Sequence, residues 1–183
     1  MAKSTSTEPQ TTFKVIEGLG MILFRGDINS EEVIKRLTDI VGIEPPKQIQ
    51  ITTTDTFSIG WMAPDELLMF FPSEQVEGMI NELNKGFVNS SVLIHDVSNS
   101  RSIIELSGSF IRDIIAKNTP VDLAKSKFTK GTFRRTRYGQ VACAFWCLEE
   151  THWYMICRRS ETEYVLKLLY DSANPESLPV FFS

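Results

Sequence analysis

The sequence predicts an α+β protein built from two split-βαβ-like lobes with mainly antiparallel sheets. Three observations carry this. Short apolar, β-branched runs recur along the chain and are separated by turn residues. Helical stripes interrupt groups of strands instead of alternating with single strands. The order reads strand–helix–strand–strand–strand–helix–strand, then strand–helix–strand–strand–strand–helix, which is not the alternation of a doubly wound parallel fold. At 183 residues the chain can bury a core without disulfides. The expected organisation is a disordered N-terminus over residues 1–11 and a single domain over 12–183, with lobes over about 12–98 and 99–183.

In order, Phe13 to Leu19 reads as a short first segment and Gly20 to Arg25 as a strand closed by Gly26-Asp27. Asn29 or Ser30 is placed to cap a helix with Glu31 and Glu32 in its first turn. Val33, Ile34, Leu37, Ile40 and Val41 form its buried stripe, Gly42 ends it, and Pro45-Pro46 forces an extended exit. Strands follow at Ile49 to Thr53, Thr56 to Met62 and Leu67 to Phe71; the unbroken apolarity of the last predicts burial on both faces. The Pro64-Asp65-Glu66 carboxylates between them read as a solvated turn, because adjacent residues of an extended chain point to opposite faces.

Pro72-Ser73 opens a second helix with Val76, Met79, Ile80 and Leu83 on one face, and Ser91 to Val97 is a strand. From Asp96 to Leu123 the chain reads as strand, turn, helix and exit loop. Ser102 to Leu106 is the strand, Ser107-Gly108-Ser109 the turn, and Ser109 the cap. Phe110, Ile111, Ile114 and Ile115 face the core in this reading, with Arg112, Asp113 and Lys117 on the opposite face. Thr132 to Tyr138, Val141 to Glu149 and Trp153 to Cys157 are three strands, with Gly139-Gln140 as a tight turn. Ser160 and Glu163 suit a capping box for a last helix whose Tyr164, Val165, Leu168 and Leu169 face inward. The terminal Phe181-Phe182 needs a docking site.

Composition narrows the function. Net charge is −4, with 42% hydrophobic and 23% charged residues. That gives no case for nucleic-acid binding, and no apolar run approaches a membrane span. The polar start MAKSTSTEPQTTFK has no secretory core, and three cysteines give no closed disulfide framework, so a cytoplasmic protein is expected. Cys143 and Cys147 share a strand face and read, with Cys157, as packing residues. His95 and His152 stand in no catalytic or metal motif, and Gly108 is a lone glycine, not a phosphate loop. No catalytic, cofactor-binding or metal-binding residue is therefore assigned.

One charge asymmetry stands out. Between Leu123 and Leu148 there is no acidic residue, yet the window holds Lys125, Lys127, Lys130, Arg134, Arg135 and Arg137. Such a run is either a solvated hairpin edge or a docking surface for an acidic partner or an anionic cofactor tail. Arg135 and Arg137 share a strand face and are the choice for a directed contact.

Three segments give the chain a resemblance to a known family. They are WMAPDELLMFFP, Trp61 to Pro72; the set Arg101, Leu106-Ser107-Gly108, Arg112-Asp113-Ile114 and Pro120-Val121-Asp122-Leu123, with Phe128, Gly131 and Thr136 after it; and Arg159-Ser160. Together they span about Gly20 to Ala173 and resemble the gamma subunits of heterotetrameric sarcosine oxidases. The resemblance implies a fold like the folate-binding domain of aminomethyltransferases (glycine-cleavage T-protein). It implies a non-catalytic subunit of a complex that demethylates sarcosine to glycine and passes the one-carbon unit to tetrahydrofolate. Alpha, beta and delta subunits would be its partners, alpha mainly, and FAD, FMN, NAD, zinc and tetrahydrofolate would be held there. Catalytic relatives carry an essential aspartate where this chain reads Tyr138-Gly139-Gln140-Val141-Ala142-Cys143, without an acid. Asn118-Thr119 also replaces a more usual Gly-Cys. The alternative is a free-standing folate-binding protein of the same fold, its basic window holding a polyglutamate tail.

Overall fold

The computed structural model describes residues 11–174. Two successive ββαβββα units make up this chain. The first contains β1 (Thr11–Ile16), β2 (Leu19–Arg25), α1 (Glu31–Val41), β3 (Ile51–Thr53), β4 (Ser58–Ala63), β5 (Glu66–Pro72) and α2 (Val76–Gly86). The second contains β6 (Leu93–Asp96), β7 (Arg101–Gly108), α3 (Ile111–Ala116), β8 (Phe133–Tyr138), β9 (Val141–Glu149), β10 (His152–Arg158) and α4 (Thr162–Ser172). A short 3₁₀ turn leads into α2 and another into α4.

Two five-stranded sheets result, in the orders β3-β4-β5-β2-β6 and β8-β9-β10-β7-β1. Every ladder is antiparallel. Each unit lends its first strand to the other's sheet: β1 pairs with β7, and β6 pairs with β2. The core strands of the two sheets have matching topology, although no repeat is visible in the sequence.

Alternation along the strands sorts the core into three layers. Ile22, Phe24, Leu67, Met69 and Phe71 pack under α1 and α2. Ile104, Leu106, Cys143, Phe145, Cys147 and Met155 pack under α3 and α4. Between the sheets lie Met21, Leu68 and Phe70 from one, and Ile103, Phe133, Trp146 and Ile156 from the other. The both-faces burial expected of Leu67 to Phe71 is seen throughout β5. Gly60 lets the sheets approach: a Cβ there would lie 2.8 Å from Phe133 Cε2. Trp146 fills the same layer, with ring centres 5.2 Å from Phe70 and 5.4 Å from Phe133.

Helix ends follow the sequence in part. Gly42 ends α1 in the left-handed region, at φ 88°, and its N–H bonds Thr38 O at 2.8 Å. Ser30 holds the N-cap position but makes no side-chain cap bond. At α4 the expected Ser160–Glu163 box is absent. Arg159–Glu161 form the 3₁₀ turn, Glu161 occupies the N-cap, and the Thr162 hydroxyl bonds Arg159 O and Ser102 Oγ. Tyr164 is 46% exposed rather than inward, because the buried stripe is Val165 and Leu169, four apart, with Ala173 beyond.

The largest local difference is at α3. Ser109 does not cap it; Phe110 holds that position at φ 63°, after Gly108 turns the chain at φ 124°. Arg112 and Asp113 are 4% and 2% exposed, not solvated. This short helix packs against β7, α4 and the segment holding Leu123 and Phe128, so Ile111 to Ile115 are all buried. Thr11, expected in the disordered end, is the first residue of β1 and is buried. Residues 1–10 and the Phe181-Phe182 tail lie outside the described residues.

Candidate functional site

The basic window spans the segment before β8, β8 itself and most of β9, and the fold disperses its charge. Two acids just past the window come back to meet its start. Lys130 pairs with Glu149, and Lys125 lies 4.0 Å from Glu150. Lys127 and Arg134 share a hollow with Asp122, Ile49 and Val121. Arg137 is exposed on β8 beside the Gly139-Gln140 turn. Lys127, Arg134 and Arg137 form no ion pair among the described residues.

Glu150 has a second role. It takes a two-pronged bond from Arg112: Nε to Oε1 at 2.7 Å and Nη2 to Oε2 at 2.9 Å. Arg112 Nη1 donates to the carbonyls of Leu123 and Phe128, both at 2.9 Å, and the guanidinium lies 4.9 Å from the Trp153 ring centre. The bond from Arg112 holds the Glu150 carboxyl below the usual range, against a smaller opposing effect of burial. Arg112 thus ties the segment that carries Lys125 and Lys127 to the second sheet.

Arg135 goes elsewhere. It projects to the inter-sheet face, as Phe133 does, and meets Glu66 of β5 at 3.9 Å. Glu66 was expected in a solvated turn. It is 6% exposed, because extended geometry sends Asp65 outward to Arg25 at 2.8 Å and Glu66 inward with Leu68 and Phe70. Arg101 of β7 and Arg158 of β10, directly paired across the antiparallel ladder, complete the group. A cleft of about 270 Å³ lies between the sheets here, lined by Arg101, Arg135, Arg158, Met62, Ala144 and Ile156 among others. Burial pulls the Arg101 pKa down; Glu66 opposes this, while Arg135 and Arg158 add to it.

Arg101 and Arg158 were not site candidates in the sequence. Each sits two residues from an inter-sheet isoleucine, Ile103 and Ile156, so their shared face was readable, but the ladder register that brings them together was not. The cysteines are buried, as the sequence indicates; burial pushes the Cys143 thiol up to about 12 and the Cys147 thiol up to about 11. Among the described residues no group of three or more His, Cys, Asp or Glu is placed to share a metal ion. No helix among them is long and apolar enough to cross a membrane.

A family model described as "Sarcosine oxidase, gamma subunit family" matches residues 25–175. The chain belongs to this family. The sarcosine oxidase subunit gamma of Corynebacterium sp. (strain P-1) is 28% identical over 138 residues, 74% of this chain and 67% of that relative. The aligned segments span 54% to 67% of the three curated relatives' lengths. The fold is also that of a chain in the heterotetrameric sarcosine oxidase from Corynebacterium sp. U-96, solved in complex with pyrrole 2-carboxylate. The TM-score is 0.83 and the identity 20%, with 91% of this chain and 85% of that chain covered. Glycine cleavage system aminomethyltransferase T from Bartonella henselae matches with a TM-score of 0.63 and 11% identity, covering 90% of this chain and 46% of that one. The gamma-subunit family and the aminomethyltransferase-like fold are thus both present, as the sequence motifs indicate.

Proposed function

We propose that this chain is a non-catalytic structural subunit of a heterotetrameric sarcosine oxidase, packing mainly against the alpha subunit. One observation carries the reading: the family match runs from the end of β2 through α4, over most of both sheets. In this reading the complex oxidatively demethylates sarcosine to glycine and passes the one-carbon unit to tetrahydrofolate. FAD, FMN, NAD, zinc and tetrahydrofolate are held by the alpha, beta and delta subunits. The gamma-type chain supplies a double sheet and basic residues on both faces of β8, Lys127 and Arg134 beside one hollow and Arg137 on the opposite face. Positive surface charge of this kind raises association rates and selects acidic partners more than it adds affinity.

The test is made on the 183-residue chain expressed alone. Flavin absorbance, zinc content, sarcosine turnover and tetrahydrofolate titration are measured. The reading expects no turnover and no bound flavin or zinc. Sarcosine turnover by the isolated chain overturns it, and saturable tetrahydrofolate binding favours the free-standing folate-binding alternative.

A further inference from the structure

We propose that the arginine cleft between the sheets is a binding site for a small oxyanion of the phosphate or carboxylate class. The site shares β8 with the basic residues assigned to subunit packing, and Arg135 lies on the same face as Arg137.

The first argument is donor supply. Each guanidinium carries five N–H donors. Arg112 uses four of them in hydrogen bonds and Arg159 bonds three backbone carbonyls. The side chains of Arg101, Arg135 and Arg158 make no hydrogen bond among the described residues. Their ion pairs are loose: Arg135 to Glu66 at 3.9 Å and Arg158 to Glu161 at 3.8 Å. Both lie beyond hydrogen-bond range.

The second argument is charge placement. Arg101 and Arg158 stand directly opposite in the β7–β10 ladder, where like charges destabilise a sheet. Arg101 is half-buried, so water screens it poorly. Glu66 and Glu161 supply two negative charges against three positive ones, leaving the cleft with an excess of one. An oxyanion removes that excess, and the planar forks suit the paired oxygens of phosphate or carboxylate.

The third argument is size. At about 270 Å³ the cleft is just under the roughly 300–1,000 Å³ of sites for drug-sized ligands, which favours a compact anion. Met62, Ala144 and Ile156 form an apolar wall beside the half-buried Arg101, while Arg135 and Arg158 are largely exposed.

The test titrates the full chain with inorganic phosphate, and separately with succinate, at constant ionic strength set by sodium chloride. Thermal unfolding and calorimetry are the readouts. The expected result is a saturable rise in unfolding temperature with at least one probe. Phosphate alone identifies a tetrahedral oxyanion and succinate alone a dicarboxylate. Arg101→Gln and Arg158→Gln each weaken binding roughly tenfold or more, the size of one charge-assisted hydrogen bond. Without added anion, both variants still unfold cooperatively, so binding is compared between folded chains. Lys167→Gln, on the exposed face of α4, leaves binding unchanged. A linear, non-saturating rise shared by all variants is general salt exclusion and overturns the proposal. Undiminished binding in both arginine variants overturns it as well.

Discussion

Replacing Arg112 by Met probes the tie between α3 and the segment that bears the basic residues. Met keeps most of the aliphatic volume and removes the guanidinium. Two carbonyls, of the buried residues Leu123 and Phe128, lose their bonds from Nη1. A buried acceptor left unsatisfied costs about 1–3 kcal/mol, so the pair accounts for about 2–6 kcal/mol. The contact over Trp153 adds about 0.5–2 kcal/mol. The Glu150 pair contributes about 1 kcal/mol or less, since that side chain is 52% exposed. Partial relaxation brings the expected loss to about 3–5 kcal/mol, or roughly 6–20 °C in unfolding temperature for a chain of this size. Urea unfolding of Arg112→Met beside Glu150→Gln is the assay. The carbonyl bonds, not the carboxylate, are expected to dominate. An Arg112→Met loss under about 1 kcal/mol, or equal losses in the two variants, refutes the reasoning.

Other expectations follow from single contacts. Because Arg112 lowers the Glu150 carboxyl, the folded pKa lies below the unfolded one. The associated stability is present above the unfolded value and is lost as pH falls through the folded one. Glu150→Gln therefore flattens the acid limb of urea midpoints measured between about pH 7 and 3, and an unchanged limb contradicts the assignment. The buried Cys143 and Cys147 thiols, raised to about 12 and about 11, stay protonated in the native chain near neutral pH. Ellman's reagent labels them only as the chain opens; prompt labelling speaks against their burial. Gly60→Ala forces a Cβ 2.8 Å from Phe133 Cε2 and costs about 1–3 kcal/mol in chemical denaturation. Adding Phe133→Leu recovers part of that loss, and a neutral Gly60→Ala contradicts tight contact of the sheets there.

Much of the fold was legible because periodicity reports burial. β5 read as doubly buried from its unbroken apolar run, and α2 from the spacing of Val76, Met79, Ile80 and Leu83. Segments whose burial comes from distant chain were not legible. Arg112 and Asp113 look like a polar helix face, but long-range packing by α4 and the segment holding Leu123 and Phe128 buries them. Strand exchange was invisible for a similar reason: β1 shows where its faces point, not which strand it will join. The basic window was visible as composition, while its neutralisation by Glu149, Glu150 and Glu66 depended on three-dimensional return of the chain. Arg101 and Arg158 are 57 residues apart and meet only through the register of β7 and β10.

Co-purification tests the central claim most directly. The chain is co-expressed with a tagged alpha-type subunit, and the eluate is analysed by size-exclusion chromatography with light scattering. The account predicts a stoichiometric complex. It also predicts that combined Lys127→Glu, Arg134→Glu and Arg137→Glu substitutions slow association and weaken the complex while the isolated chain stays folded. Failure of the folded wild-type chain to join the alpha-type subunit under any salt condition would contradict it.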